Sequence, residues 1–473
     1  MSSVAVRNHL STFLETLVTG DSQALTSAAH EYLTRAEDAS ELIGQVGLIA
    51  MHGDSDGHTV LTLGAASVLT RWLIALRHVL GEESSDFVRG VPLVVQALLA
   101  AIPAVQAGKD APRNYPEPLF PSGLSSTKSV GDALHEAIEG RDVTMVERLL
   151  LGLYGTGADY RTISIRIYDG IAQTFQEGGH ALLCAIGGAQ VLDAVEWGDD
   201  EPNYLHWLAP HLTSHAEEPA WTERVRGFLR ESQHSLQSYR TRLSLPKNEQ
   251  ALPLQALIIS TAPTPDVLQG VYDALIKNGA SAKAVGAVIA LAAANLLQNV
   301  GDGDRELFVR ATHGLLFASA THQVFTQVQE VEALPLLFTA AAYVNALAQD
   351  LNGQTSQGTA TRPGTVGGGL IASALLESLD EQIEAEDVAG ALATARRYVQ
   401  LGHDAPALIS AIGLSAARAD AAADQGHTLQ IIQAAGHEYL SWPQELKTTS
   451  IDSFLHIALR AAALAKRNPL ATH

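Results

Sequence analysis

A chain of 473 residues, 47% hydrophobic and 17% charged, carries enough apolar side chains for a large core. That core is either one helical domain spanning 1–473 or two packed subdomains, 1–245 and 246–473. The 51 acidic residues outweigh 30 basic ones for a formal charge of -21, which repels phosphate backbones and anionic lipid and argues against nucleic acid or acidic membranes as partners.

A single cysteine, Cys184, rules out an intramolecular disulfide framework and any cysteine-built zinc or iron–sulfur cluster. The opening MSSVAVRNHLSTFLETL lacks the basic start, long apolar run and small-residue cleavage site of a secretory signal. The most apolar stretch, 287–297 (AVIALAAANLL), is too short for a bilayer. A soluble, cytoplasmic protein is expected.

Few prolines and abundant alanine and leucine favour helix along almost the whole chain. Residues 109–130 (KDAPRNYPEPLFPSGLSSTKSV) carry four prolines without periodicity and read as a loop. Residues 146–154 (VERLLLGLY) have a helical stripe, and 162–167 (TISIRI) alternate but are flanked so closely by helix that helix is predicted there too. Residues 197–221, with His206, His211, His215 and three prolines among turn residues, read as a second loop, and Asp199, Asp200 and Glu201 as solvated surface. Helical spacing returns over 252–276. Helix starts are marked by Thr264-Pro265-Asp266, by Ser281 and by 384–387 (EAED). A third loop covers 352–369 (NGQTSQGTATRPGTVGGG). No 30–45-residue repeat is present. The expected fold is all-α, a large multi-helix bundle.

Four of the 18 histidines share one local context. Gly57-His58-Thr59-Val60-Leu61, Gly179-His180-Ala181-Leu182-Leu183, Thr312-His313-Gly314-Leu315-Leu316 and Gly426-His427-Thr428-Leu429-Gln430 each place a small residue before histidine. A run of small and apolar residues follows in each. Taken singly, a histidine near a helix start is ordinarily just a hydrogen-bonded polar side chain. Four in one context, broadly evenly spaced, predict four helices that each open on an imidazole, the way a bundle builds a metal site between facing helices. Neutral imidazole suits Zn, Cu, Fe and Ni alike. Four such ligands leave two positions of an octahedron open, whereas a closed tetrahedral zinc site leaves no room for chemistry. Nearby carboxylates that could complete a site are Asp54, Asp56, Glu177 and Asp424.

The same residues carry a family resemblance. HTVLTLGAA from His58 to Ala66, GGH ending at His180, THGL around His313 and HTLQ from His427 to Gln430 resemble the four histidine blocks of the questin oxidase-like proteins, in order and in separation, over roughly residues 50–440. The resemblance implies an all-helical oxygenase that holds non-haem Fe(II) on His58, His180, His313 and His427. It implies dioxygen as co-substrate and aromatic polyketides of natural-product biosynthesis as substrates, in Baeyer–Villiger-like ring opening or related carbon–carbon cleavage. Fungal members tend to carry a lysine three positions after the last histidine, a modified, carboxylate-like ligand. This chain has Gln430 there, so that fifth ligand does not carry over directly.

His52, Gln430, His322, His437 and Cys184 are further candidates for substrate binding or for supporting bonds behind the ligands. Cys184 also reads as a small buried hydrophobe. Gly367-Gly368-Gly369 lacks the Lys-Ser/Thr of a phosphate loop, and there is no H-E-x-x-H, G-x-S-x-G or strand-borne G-x-G-x-x-G. The reading is a metal-dependent mono- or dioxygenase acting on a small aromatic or polycyclic molecule, with an electron-donor protein open as a partner. Two alternatives stand beside it: a non-enzymatic helical protein that binds a hydrophobic ligand or partner, and a zinc hydrolase.

Overall fold

The computed structural model describes residues 13–468 except 20, 36–38, 81–85, 112–113, 126, 173, 198, 214–216, 242–244, 301–304, 353–368 and 449–450. The fold is all-α. Among the described residues the sole extended pairing is one bridge between Ala419 and Arg467.

Eleven helices bear on the site. They are α1 (Ala39–Ala50), α2 (His58–Leu80), α3 (Asp86–Gly108), α4 (His180–Ala194), α5 (Glu201–Leu212), α6 (Ala282–Gln298), α7 (Arg305–Gln327), α8 (Pro335–Asn352), α9 (Ala405–Ser415), α10 (His427–Ser441) and α11 (Asp452–Ala463). Four of them close a ring, with α2 against α4, α4 against α7, α7 against α10 and α10 back against α2. The others wrap it: α1, α3 and α9 lie against α2, α5 against α4, α6 and α8 against α7, and α11 against α10 and α6. Helices from both sides of position 245 therefore build the one ring.

Close approach within the ring comes from small residues. Gly187 on α4 meets Leu61 on α2, and Gly64 on α2 meets the Gly187 carbonyl; a Cβ on Gly64 would lie 2.6 Å from that oxygen. Helix α6 is buried on nearly every side and starts where Ser281 Oγ accepts the Ala284 N–H at 3.1 Å. Asp387 caps the alanine-rich helix Val388–Gln400 in the same manner. Residues 146–154 and 162–167 lie in helices Val143–Gly155 and Tyr160–Ile171.

Several local expectations change. The loop expected over 197–221 contains α5. Pro202 falls in its first turn, where a missing N–H costs nothing, and Pro210 falls in its last. Glu201, expected on the surface, opens α5 and is buried. Residues 252–276 are two helices, Pro253–Ile258 and Thr264–Tyr272, the second running into a wider π-turn over Asp273–Lys277. Thr264 makes no capping bond; Pro263 precedes that helix in extended conformation. The described part of 109–129 is irregular chain with a short 3-10 turn at Pro121–Gly123. The third expected loop, apart from its ends, lies outside the described residues, as does His215. Two helical stretches, Gly90–Gly108 and Val331–Leu351, are long and apolar enough to cross a membrane, more so than 287–297; most of each is buried within the bundle.

Candidate metal centre

The four histidines meet at one end of the α2–α4–α7–α10 ring. Imidazole centres lie 4.8 Å apart for His58 and His180, 5.4 Å for His58 and His427, and 5.2 Å for His313 and His427. Imidazoles on a shared metal, bonded at about 2.1 Å, have ring centres about 4.6 Å apart at right angles and about 5.3 Å apart at the tetrahedral angle. Two of the observed separations fall in that range and the third, His58 to His427, lies just above it. The ring planes are inclined by 87°, 52° and 62°. Among the described residues, the group whose donor atoms all lie within 4.8 Å of one another is a different one, His322, His437 and Glu438. Convergence on one ion therefore takes movement of some of these rings about their side-chain bonds.

Three of the four are the first residues of their helices. His58, His180 and His427 each follow a glycine with positive φ: 81° at Gly57, 87° at Gly179 and 70° at Gly426. A side chain is disfavoured there twice over, by the left-handed backbone and by space. A Cβ on Gly179 would overlap the Phe317 ring, and one on Gly426 would overlap Thr62. His313 does not open a helix. It sits well inside α7, which has already run from Arg305, and Thr312 before it is buried. The shared motif therefore had two structural meanings, three helix starts and one interior position.

Hydrogen bonding prepares lone pairs for a cation. Nδ1 of His313 faces the Val309 carbonyl at 3.1 Å, and Nδ1 of His427 faces the Asp424 carbonyl at 2.6 Å. A protonated Nδ1 in each leaves Nε2 as the free lone pair. His58 Nδ1 and His180 Nε2 are buried without any hydrogen-bond partner, an expensive arrangement unless something else satisfies them. Burial, and then the neighbouring imidazoles, push His58 and His313 down to about 4. Burial lowers His180 as well, while the Glu177 charge pulls it partly back. These rings are neutral at physiological pH, as ligation requires. Two orphaned nitrogens, two fixed tautomers and suppressed protonation fit a metal held by four imidazoles.

The expected carboxylates are largely engaged elsewhere. Asp424 accepts from the Gly426 N–H at 2.9 Å and, through its other oxygen, from Thr428 Oγ1 at 2.5 Å, so it shapes the turn into α10. Asp56 accepts the His58 N–H at 3.0 Å, and Asp54 accepts the Val60 N–H at 2.9 Å; both cap α2. Burial, with the Asp56 charge beside it, pushes Asp54 up to about 7. Burial would raise Asp56 too, but the His58 N–H and the histidine charges outweigh it and hold the carboxyl low. Glu177 is the remaining acid whose charge reaches both His58 and His180.

The other candidates fall in three places. Gln430 is buried one turn inward from His427 and donates to the Gln425 carbonyl at 3.2 Å. With Gln190, Gln323 and Gln433 it lines a small cavity of about 40 Å³ between the four ring helices. Cys184 is fully buried against Gly57, its thiol pushed well up by burial. His52 is turned away from the four, its ring 6.3 Å from that of His206; His206 in turn pairs with Glu147 at 2.6 Å. His322 and His437 lie deeper on α7 and α10, beside each other rather than beside the four.

Sequence reasoning missed His211, set aside with the expected loop. On α5 it is carried to the edge of the site, its Cε1 3.3 Å from where a Cβ on Gly57 would stand. Burial, then His180, bring it down to about 4. Its spacing of four from Trp207, whose ring it touches at 4.8 Å, was the available helical signal.

A larger cavity of about 190 Å³ opens beside His427, lined by Phe308, Val309, Thr428, Ile431 and Arg460 among others. An apolar cavity near 150 Å³ takes up benzene, so this one seats one or two rings. Arg460 is fully buried; its Nη1 donates to the carbonyls of Leu297 and Val300, at 3.1 and 2.8 Å, and its guanidinium lies 4.3 Å from the Phe308 ring centre.

Comparison with protein-family models, curated proteins and solved structures found no match.

Proposed function

We propose that the protein is a metal-dependent oxygenase, with ferrous iron held by His58, His180, His313 and His427, that oxidises or cleaves a small aromatic substrate using dioxygen. The observation that carries this reading is the meeting of four imidazoles from four helices, with buried nitrogens left unpaired on His58 and His180. The resemblance of the histidine blocks to questin oxidase-like proteins supports the choice of iron and dioxygen. When bound, ferrous iron supplies binding and activation of dioxygen.

The chain's own residues would do the rest. Phe308, Val309 and Ile431 give the cavity beside His427 an apolar wall that excludes water. Its size favours one or two fused rings, and a larger polycycle requires the wall to open. Arg460 places a fixed positive charge in that wall, which Asp424 also lines, and three helix N-termini (α2, α4 and α10) point partial positive charge at the histidines. Both favour a substrate bound as a phenolate or enolate, since the anion offsets the positive field in a low-dielectric pocket. Such an anion is electron-rich enough to give up electrons to dioxygen without a flavin or nicotinamide. No electron donor is needed where both oxygen atoms enter the product; insertion of one atom takes two electrons from a donor such as a partner protein, as the other atom leaves as water.

The test is single-turnover reaction of ferrous-loaded protein with phenolic mono- and bicyclic compounds under isotopically labelled dioxygen. Label is expected in the product. Product formed at full rate without dioxygen, or by metal-free protein, would overturn the proposal.

A further inference from the structure

The geometry points to a second cation site, separate from the four histidines, in which His322, His437 and Glu438 hold one divalent transition-metal ion of the zinc type. Each of the three has a donor atom within 4.8 Å of donor atoms on the other two. Tetrahedral ligands at about 2.0–2.1 Å stand about 3.3 Å apart, so closure takes side-chain movement on the order of an ångström. His322 and Glu438 have no exposed surface.

Satisfied and unsatisfied atoms are unevenly divided in this cluster. Glu438 is well bonded: Oε1 accepts from Ser319 Oγ at 2.8 Å, and Oε2 meets His322 Nδ1 at 2.7 Å. Nε2 of His322 and Nε2 of His437 are both buried and have no hydrogen-bond partner. Two unpartnered imidazole nitrogens beside an anchored carboxylate amount to a donor set lacking its acceptor.

The local sequence explains the cluster. Gly286 on α6 lets that helix approach α7 at His322; a Cβ there would stand 3.1 Å from the His322 Cα. Burial lowers His437, with His322 and Lys283 pushing in the same direction against the Glu438 charge, so its lone pair is available. His437 keeps some exposure, which gives an ion a way in. His322 lies nine residues beyond His313, and His437 ten beyond His427, about 13–15 Å along the helices. That distance makes the two sites independent. Two nitrogens and a carboxylate without thiolate suit Zn²⁺ and its neighbours Co²⁺ and Ni²⁺.

The experiment is a Co²⁺ and Zn²⁺ titration of the untagged full chain, reading bound metal per chain and the visible Co²⁺ bands. Wild type is expected to take up two ions. H437Q should bind one and lose one set of Co²⁺ bands, and E438Q should weaken that same ion at least tenfold while remaining folded by circular dichroism. The double variant H58Q/H427Q should keep the second ion while losing the first, which separates this proposal from the oxygenase reading. Unchanged stoichiometry and bands in folded H437Q, or loss of all tight binding in folded H58Q/H427Q, would overturn it. H437Q is the principal variant because its half-buried position tolerates change better than that of His322.

Discussion

Helices α7 and α10 each carry two histidines, nine or ten residues apart, and the two levels are built on opposite principles. At the upper level His313, inside α7, and His427, at the start of α10, turn Nδ1 toward backbone carbonyls, and His427 borders a cavity. At the lower level His322 and His437 meet a buried carboxylate and border none of the larger cavities described above. Backbone carbonyls fix a tautomer without adding a formal charge to either imidazole. The lower carboxylate neutralises a cation locally and leaves nothing for a substrate to balance. Histidine identity is shared; what the second neighbour is decides whether the place is suited to chemistry or to holding an ion.

That contrast can be broken most forcefully at the upper level. His427→Ala and His313→Ala should each reduce iron affinity and turnover by more than about 100-fold, since loss of supporting residues alone costs about 10–100-fold. Iron content by elemental analysis after anaerobic loading checks this, and a full load in His313→Ala would remove that residue from the site. Next in size, Gly426→Ala should destabilise the protein by about 2–4 kcal/mol, combining left-handed backbone strain with overlap on Thr62. Urea unfolding measures it, and an effect under about 0.5 kcal/mol would show that the turn can rearrange.

Glu438→Gln should cost about 1–3 kcal/mol by leaving His322 poorly paired, yet leave iron bound at the four histidines unchanged. Loss of iron in that variant would mean the two levels are coupled, and the contrast drawn here would fail.

Acid sensitivity should also come from the upper level. His58, His313 and His211 have folded values near 4 against about 6.5 for the unfolded chain. The unfolded state therefore binds more protons between these values, and metal-free protein should lose stability as pH falls from about 6.5 toward 4. Asp54 works the other way: raised to about 7, its stabilising contribution is greatest below its unfolded value and disappears as pH rises through 7. Three histidines outweigh one carboxyl, so the net slope is that of the histidines. A flat pH–stability profile from 6.5 to 4.5 would contradict the burial assigned to them. Smallest of all, Gln430→Ala should change iron content little, because its amide bonds the Gln425 carbonyl.

Much of this was legible in the sequence, and the misses have physical reasons. Alanine- and leucine-rich periodicity gives the all-α fold because those residues lose least on becoming helical. Gly-His pairs mark His58, His180 and His427 because glycine fits the left-handed backbone and the close contacts at those helix starts, where a Cβ would overlap its neighbours. His313 shares the motif by composition alone, and a single motif could not distinguish an interior position from a start. Helix α5 was hidden by Pro202 in its first turn, where proline is tolerated, and by Pro210 inside its last turn, and His211 was hidden with it. The role of Glu438 depends on a partner more than a hundred residues away. Its only local sign was an acid set in the small-residue run AAGHEYL, where a buried charge needs a partner.

The central claim, one metal on four imidazoles, is tested most directly by iron K-edge X-ray absorption on anaerobically loaded ferrous protein. The account predicts one tightly bound iron at the upper site with scattering from about four imidazole rings, dropping by one ring in His427→Ala where iron is still retained at high loading. Iron that binds sub-stoichiometrically, or that shows one or two imidazoles unaffected by any of the four substitutions, would contradict it.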